Sequence, residues 1–575
     1  MNIFTAIANT VLFHGASILG ALFRKDYLDH APKGEQSSKK LLLGLLRESR
    51  NTEFGRKHGF SEIRTVEDYQ KKIPLSAYAD YRDYINRTAR TGEQKLITNR
   101  RIRYFARTSG TVSEMKLIPQ VQASYIPHFK NICLAMNDLY LALRQRGISA
   151  VSARGLIATE LHDTPVNELV DGSAAKIPVG PVSSYSAKGM KLFLPIFCPL
   201  PREVFGTSEI QDMKYVKARY AMADPDLKYC AGIFMSALTD IMSYIENNCE
   251  LLIRDIETGT IDPSVRMSDS IRAKLEKRLR PNPKRAAQLR RVFAEPSDTP
   301  LVNRIWTKMS FVWAIGTADF EPFTKKMRTY CSSDVPFSFA CYSASEAVIG
   351  CATRMEDPSY LLMRDSGFFE FLPVNEAGEA QDTPLLAHEL EEGKLYEIVV
   401  TNLAGLYRYR LRDVVRVKRF LGDTPYIEFA YRSNFVTNFC SMHITGELLA
   451  TAAKAAADAV DACILDYSLY ADAVSEPPKL VLFAEADRPL TGEEHRRMQD
   501  SFESTLSTLS WPYTLFRTDG VAGPAEVQMV KSGTYLRYRD EKIAGGASMN
   551  QLKAVRLIDT PEKYAYFSSA VENPD

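Results

Sequence analysis

No Cys-x-x-Cys pair occurs among the nine cysteines of this 575-residue chain, and no His-x-x-x-His pair among its eight histidines. Those absences exclude a zinc ribbon, a redox dithiol and a histidine-built metal cage on ligand spacing. The cysteines are scattered singly from Cys133 to Cys463, the pattern of buried reduced thiols, and the expected compartment is the cytoplasm. Net charge is missing too. Seventy-two Lys and Arg against 70 Asp and Glu leave only +2, so no global field draws nucleic acid or an anionic membrane. Any anion site must be local. There is no internal repeat, no low-complexity tract, no legible Ser-His-Asp triad and no Gly-x-x-x-x-Gly-Lys-Ser/Thr cradle of P-loop NTPases.

The N-terminus lacks charge altogether. Ile3 to Phe23 carries no Asp, Glu, Lys or Arg over the length of a membrane span. It also lacks a basic leading region and a small-x-small cleavage site, so a secretory signal is not expected. Ile3, Ile7, Val11, Ile18 and Leu22 fall near helical spacing, diluted by Asn9, Thr10, His14 and Ser17. The pattern predicts an amphipathic helix covering the body, with peripheral membrane contact through residues 3–23 as the alternative.

What is present is the composition of a soluble globular protein, 45% hydrophobic and 25% charged. The length implies two to four domains. Helical periodicity runs through Ser37–Arg50, Ser236–Ile256, Ser268–Phe293 and Gly492–Leu509, and strand alternation through Leu395–Phe429 and Lys479–Phe483. Such mixing predicts an α/β architecture. The texture changes near Tyr431, which divides the chain into a large N-terminal domain, 1–430, and a small C-terminal one, 431–575. The basic run Lys277–Arg291 has no interleaved aromatics and is broken by Pro281 and Pro283. It reads as a solvated helix–loop–helix surface, not a nucleic-acid patch.

Three short stretches could carry chemistry. In RYFARTSGTVSEMKLIP (Arg103–Pro119), Gly110 allows close backbone approach to a ligand, while Thr108, Ser109, Thr111 and Ser113 add hydroxyls and Lys116 a cation. Donors converging with one cation suit the oxygens of a polyphosphate. In CYSASEAVIG (Cys341–Gly350), Tyr342 offers a face for a purine, Ser343 and Ser345 offer hydroxyls, and Glu346 offers a carboxylate able to hold Mg²⁺ against phosphate. In GLYRYRLRDVVRV (Gly405–Val417), Asp413 at a turn could accept both hydroxyls of a ribose. Each stretch alone reads equally as an ordinary turn or strand end.

In this order and at these separations, the three resemble the nucleotide motifs of the plant auxin-responsive Gretchen Hagen three family, acyl acid–amido synthetases of the adenylate-forming superfamily. TEFGRKHGF (Thr52–Phe60), LIRDIETG (Leu252–Gly259), VVTNLAGLYRYR and GGASMNQLK (Gly545–Lys553) extend the resemblance over roughly residues 40 to 558. It implies a large domain of β-sheets flanked by helices and a small mobile αβ domain. It implies ATP and Mg²⁺ as cofactors, and a carboxylic acid and an amino acid as small-molecule partners. By the same resemblance Ser109, Gly110 and Thr111, with Thr108 beside them and Lys116 nearby, cradle phosphates. Tyr342, Ser343 and Ser345 contact adenine, Glu346 holds Mg²⁺, Asp413 binds ribose and Arg432 sits at the interdomain hinge. Lys553 approaches the α-phosphate. The chain departs from the family pattern at Val112–Met115, at Arg412 where glycine is usual, and at His443, which takes the place of a lysine. An acyl-CoA ligase and a non-catalytic nucleotide-binding descendant are the alternative readings.

Overall fold

The computed structural model describes residues 3–107, 116–159, 166–168, 173–182, 193–317, 320–375, 380–433, 437–440, 442–444, 446–544 and 554–572. Three sheets build the large part of the molecule. The first has order β2–β1–β5–β4, from β1 (Ile102–Arg107), β2 (Leu117–Val121), β4 (Val166–Glu168) and β5 (Ala174–Gly180). The second is parallel, β3–β6–β7–β8, from β3 (Gly155–Ile157), β6 (Tyr229–Phe234), β7 (Phe311–Ile315) and β8 (Phe337–Ser338). Its strands are almost wholly apolar and sit in a large core among helices, as a parallel sheet requires.

The third sheet is antiparallel and eight-stranded, with order β13–β12–β14–β15–β16–β11–β10–β9. Its strands are β9 (Cys341–Ser343), β10 (Val348–Cys351), β11 (Tyr360–Leu362), β12 (Gly367–Pro373), β13 (Leu385–Leu386), β14 (Leu395–Asn402), β15 (Tyr409–Leu421) and β16 (Thr424–Arg432). A second large core joins this sheet to the first one. That packing brings β2 beside the β9–β10 hairpin. Buried within it, Arg408 donates to both Glu370 oxygens at 3.0 Å and to the carbonyls of Gln70 and Ile73. This arginine is therefore held in a paired, fully hydrogen-bonded interior site and is no ligand cation.

Beyond β17 (Thr437–Phe439) and β18 (Met442–Ile444), a three-stranded sheet packs under the helices Gly446–Asp458 and Gly492–Leu509. Its strands are β19 (Ile464–Asp472), β20 (Lys479–Ala486) and β21 (Glu526–Met529). The core of this part is separate from those of the large part. Charged contacts join the two: Arg539 donates to both oxygens of Asp240 at 2.7 and 2.8 Å, and Lys214 pairs with Asp540 at 2.9 Å.

Three expectations are corrected. Ser236–Ile256 is two helices, Met235–Asn247 and Cys249–Thr258, broken at Asn248, whose φ of −128° leaves the helical region. Ser268–Phe293 divides as the helix–loop–helix reading expects, into Asp269–Glu276 and Pro283–Ala294, because a proline ring fits only the first turn of a helix. The basic run is not wholly solvated, since buried Arg285 donates to the carbonyls of Met222 and Ile305. The third concerns the N-terminal helix α1 (Ile3–His30), which packs along helix α2 (Ile126–Gln145). Its apolar stripe faces outward and its buried face includes Asn9, Ser17 and Gly20.

Candidate nucleotide site

The described parts of the three motifs meet where the first and third sheets abut. The Tyr-Ser-Ala-Ser-Glu element forms the β9–β10 hairpin, closed by the Ala344 amide donating to the Ala347 carbonyl at 2.9 Å. Two side chains from other strands fasten the tip of this hairpin. Gln120 of β2 donates to the Ser345 carbonyl at 2.8 Å, and Asn402 at the end of β14 donates to the Glu346 carbonyl at 3.0 Å. The Asn402 side-chain Oδ1 accepts from the amides of Ala404 and Leu406, an Asx turn that rounds off the β14–β15 connection.

Asp413 anchors the site. It lies inside β15, paired in register with Arg432 of β16, and not at a turn before a strand as its sequence context suggests. Its Oδ1 accepts from Arg432 Nε at 2.7 Å and its Oδ2 accepts from the Tyr342 hydroxyl at 2.9 Å. Two members of this triad come from separate sequence motifs and the third, Arg432, from just past the expected domain boundary. A carboxylate has about four acceptor positions, so two such bonds leave room for two ligand hydroxyls.

Charge and burial act together here. Glu346 is half-buried on the hairpin tip, and burial pushes its carboxyl above the ordinary value of 4.5. The Arg432 cation and, more weakly, Lys116 oppose that rise, while the Asp413 carboxylate adds to it. Arg432 is held above its ordinary value, first by Asp413. The Tyr342 phenol is held well up, first by burial and then by Asp413, so it remains a donor. Lys116 stands just ahead of β2, its Nζ 5.8 Å over the Tyr78 ring. One half-buried carboxylate among cations fits Mg²⁺ arriving with phosphate oxygens, because that ion is held through one or two protein carboxylates plus phosphates and water. Among the described residues no cluster of three or more His, Cys, Asp or Glu is placed to cage a metal alone.

Thr108, Ser109, Gly110 and Thr111 lie outside the described residues, as do Val112–Met115 and Lys553. The strands flanking the phosphate turn are described, and Arg107 pairs with Leu117 across them. His443 belongs to β18 by its backbone, while its side chain is outside what is described. Ser343 and Ser345 sit on the β9–β10 hairpin beside Tyr342 and Glu346. Gln120 and Asn402 are not among the site residues that the sequence marks out. A lone glutamine inside the apolar strand LIPQV and an asparagine just before Leu-Ala-Gly are the available signals.

Arg412 has a φ of +64°, beside a bulge where β15 shifts against β14. Left-handed backbone costs a residue with a Cβ roughly 1–2 kcal/mol and glycine almost nothing. Its side chain reaches Glu397 only at 3.8 Å, from a half-exposed position. Arg412→Gly is therefore expected to raise stability by about 0.5–1 kcal/mol after allowing for the looser unfolded chain. A urea melt with unchanged slope checks this, and destabilisation would show that the Glu397 contact outweighs the backbone strain.

The chain is similar to known proteins along most of its length. The GH3 family N-terminal, central and C-terminal domains match residues 25–337, 360–432 and 447–562. The jasmonoyl–L-amino acid synthetase GH3.5 of Oryza sativa subsp. japonica is 25% identical over 554 residues, covering 91% of this chain and 92% of its own. The indole-3-acetic acid-amido synthetase GH3.5 of Arabidopsis thaliana is 25% identical over 569 residues, covering 91% and 89%. Among solved structures, a GH3.15 acyl acid amido synthetase superposes with a TM-score of 0.80 at 22% identity, covering 95% of each chain. With all three of its domains matched in order along most of the sequence, this chain belongs to the GH3 (Gretchen Hagen three) family.

Proposed function

We propose that this protein is an ATP-dependent acyl acid–amido synthetase. A carboxylate substrate attacks the α-phosphorus of ATP, forming an acyl-adenylate and releasing pyrophosphate. The amine of an amino acid then attacks the acyl carbon, the C–N bond forms as the C–O bond to phosphate breaks, and AMP leaves. The amine's proton passes to solvent. Neither step needs a covalent enzyme intermediate, so positioning and electrostatic stabilisation carry the catalysis.

The observation that carries this reading is the convergence of Tyr342, Asp413 and Arg432, with Glu346 and Lys116 beside them, in a chain of this family. Asp413 accepts the ribose hydroxyls with its free lone pairs, while Arg432 and Tyr342 fix its orientation. The Tyr342 ring and the hairpin serines line the base. Lys116 and the Thr108–Thr111 turn bind phosphate oxygens. Glu346 would hold Mg²⁺, which when bound neutralises phosphate charge and orients the pyrophosphate leaving group. Lys553 and His443 act from the C-terminal domain, 431–575, the first toward the α-phosphate and the second in place of the family's lysine. The relatives are named for jasmonic and indole-3-acetic acid, and one solved structure holds 2,4-DB. The acid class proposed here is accordingly a small amphipathic carboxylate. The proposed location is cytoplasmic, in keeping with nine unpaired cysteines.

Purified protein supplied with Mg·ATP and a library of carboxylic acids is expected to release pyrophosphate in an acid-dependent manner. AMP release should then depend on an added amino acid. AMP release that depends on coenzyme A and ignores amino acids would reassign the acceptor. Tight ATP binding without turnover across the whole library would replace the enzyme reading by a nucleotide-binding one.

A further inference from the structure

The outer face of α1 is built the wrong way round for a helix that only covers a protein body. Among its described residues, every exposed side chain from Ile3 to Leu22 is apolar, with Phe4 78%, Val11 65%, Ile18 62% and Leu22 57% exposed. A helix on a globular surface puts its polar face to water. Here polar groups point inward instead. Asn9 is buried and donates to the carbonyls of Ala153 and Ile196, and buried Ser17 accepts from Asn137. Gly20 lies so close to α2 that a Cβ would come within 2.0 Å of the Cys133 carbonyl. The inward face is thus fixed by specific contacts, and the helix cannot roll to hide its stripe.

Among the described residues the other exposed large apolar side chains fall in two groups, with none between Leu194 and Ala473. Val474, Leu509, Trp511, Leu515, Val521 and Tyr564 belong to the C-terminal part, whereas Ile126, Phe129 and Leu141 lie on α2 itself, and Val151 adjoins Ser152, whose amide donates to Thr10 of α1. A stripe of about 20 residues is about 30 Å long and about 10 Å wide. Pairing it with a second copy would bury about 600 Å² in all, well short of the 1,200 Å² or more of a stable interface. A bilayer surface needs no complementary shape and accepts a stripe of this form. The stripe is uncharged until Arg24, which pairs with Asp138, and Lys25, which is exposed. Asn9, Ser17 and Gly20 tether α1 along the folded body, so it lies in the interface and does not span it.

We propose that α1 is a monotopic membrane-binding face, docking the enzyme on a lipid surface through hydrophobic insertion with little dependence on lipid charge. The test is flotation of the full chain with neutral phosphatidylcholine vesicles and with vesicles containing phosphatidylserine, beside the variant Ile7→Ser/Val11→Ser/Ile18→Ser. All three positions are solvent-exposed, so the variant should keep the wild-type melting curve and ATP binding. The wild type is expected to float with both vesicle types at low and high salt. The variant should bind on the order of a thousandfold more weakly, since each of the three lost apolar side chains costs about a factor of ten in partition. Failure of the wild type to float overturns the proposal, as does flotation that survives in the variant. Binding seen only with anionic vesicles and abolished by salt would also overturn it. So would a concentration-dependent dimer dispersed by the variant without vesicle binding, which would assign the face to a second copy.

Discussion

Glu346→Gln is expected to lower acid-dependent pyrophosphate release by about two to three orders of magnitude while leaving the protein folded, the loss typical of removing one pre-aligned electrostatic group. The glutamine keeps the size of the side chain. It also leaves untouched the hairpin-tip contact from Asn402, because that bond is made to the Glu346 backbone carbonyl. Stability should move the other way. Burial raises the Glu346 carboxyl in the folded protein, against Arg432 and Lys116, which pull it down, and with Asp413, which adds to the rise. A raised acid favours the protonated folded state. Its contribution is full below the unfolded value near 4.5 and is lost as pH climbs through the folded one. The wild type should therefore lose stability relative to the variant as pH rises above about 4.5, and chemical denaturation at pH 4 and pH 8 measures the difference. Added Mg·ATP should favour the ionised carboxylate, so at a pH low enough to leave Glu346 partly protonated nucleotide binding should release more protons from the wild type than from the variant. Calorimetry in buffers of different ionisation enthalpy reads that release. Undiminished turnover in the variant would remove Glu346 from the metal's environment.

Much of this site was legible because its chemistry is concentrated in short motifs. Tyr342, Glu346 and Asp413 were each identifiable as a candidate, and the resemblance placed Arg432 among them. Their mutual contacts were not legible. The Asp413–Arg432 pair arises from the register of β15 on β16, and the Tyr342–Asp413 bond from folding that brings β9 over β15 with three strands between them. Strand register and sheet order are properties of the whole sheet, which local pattern does not encode. Arg408 and Arg410 stand in the same motif but pair with Glu370 and Glu397, a division of roles that the local sequence does not encode. The polarity of α1 was misjudged for a similar reason. Periodicity identifies an apolar stripe but not which neighbour the helix meets, and here the close approach at Gly20 selected the other face.

The Asp413 position separates the structural and binding roles of the triad. Asp413→Ala removes the acceptor of both Arg432 and Tyr342, leaving a guanidinium and a phenol without their shared partner. Hydrogen bonds to a charged group contribute about 1.5–3 kcal/mol each. The alanine variant should therefore be measurably less stable and should bind ATP at least a hundredfold more weakly, if two ribose hydroxyls also lose their acceptor. Asp413→Asn distinguishes these effects. Its amide oxygen still accepts one bond and its volume is unchanged, but its amide group meets either the Arg432 donor or the Tyr342 hydroxyl in place of an acceptor. Stability should fall less than in the alanine variant, while ATP affinity still drops by at least about tenfold, because one charged ribose contact is lost. Comparison of ATP with 2′,3′-dideoxy-ATP makes the argument sharp. The wild type should prefer ATP strongly, and both variants should have lost most of that preference. A full preference for ATP in Asp413→Asn would mean that the carboxylate serves only to hold Arg432 and Tyr342 in place, and that the ribose is bound by other groups.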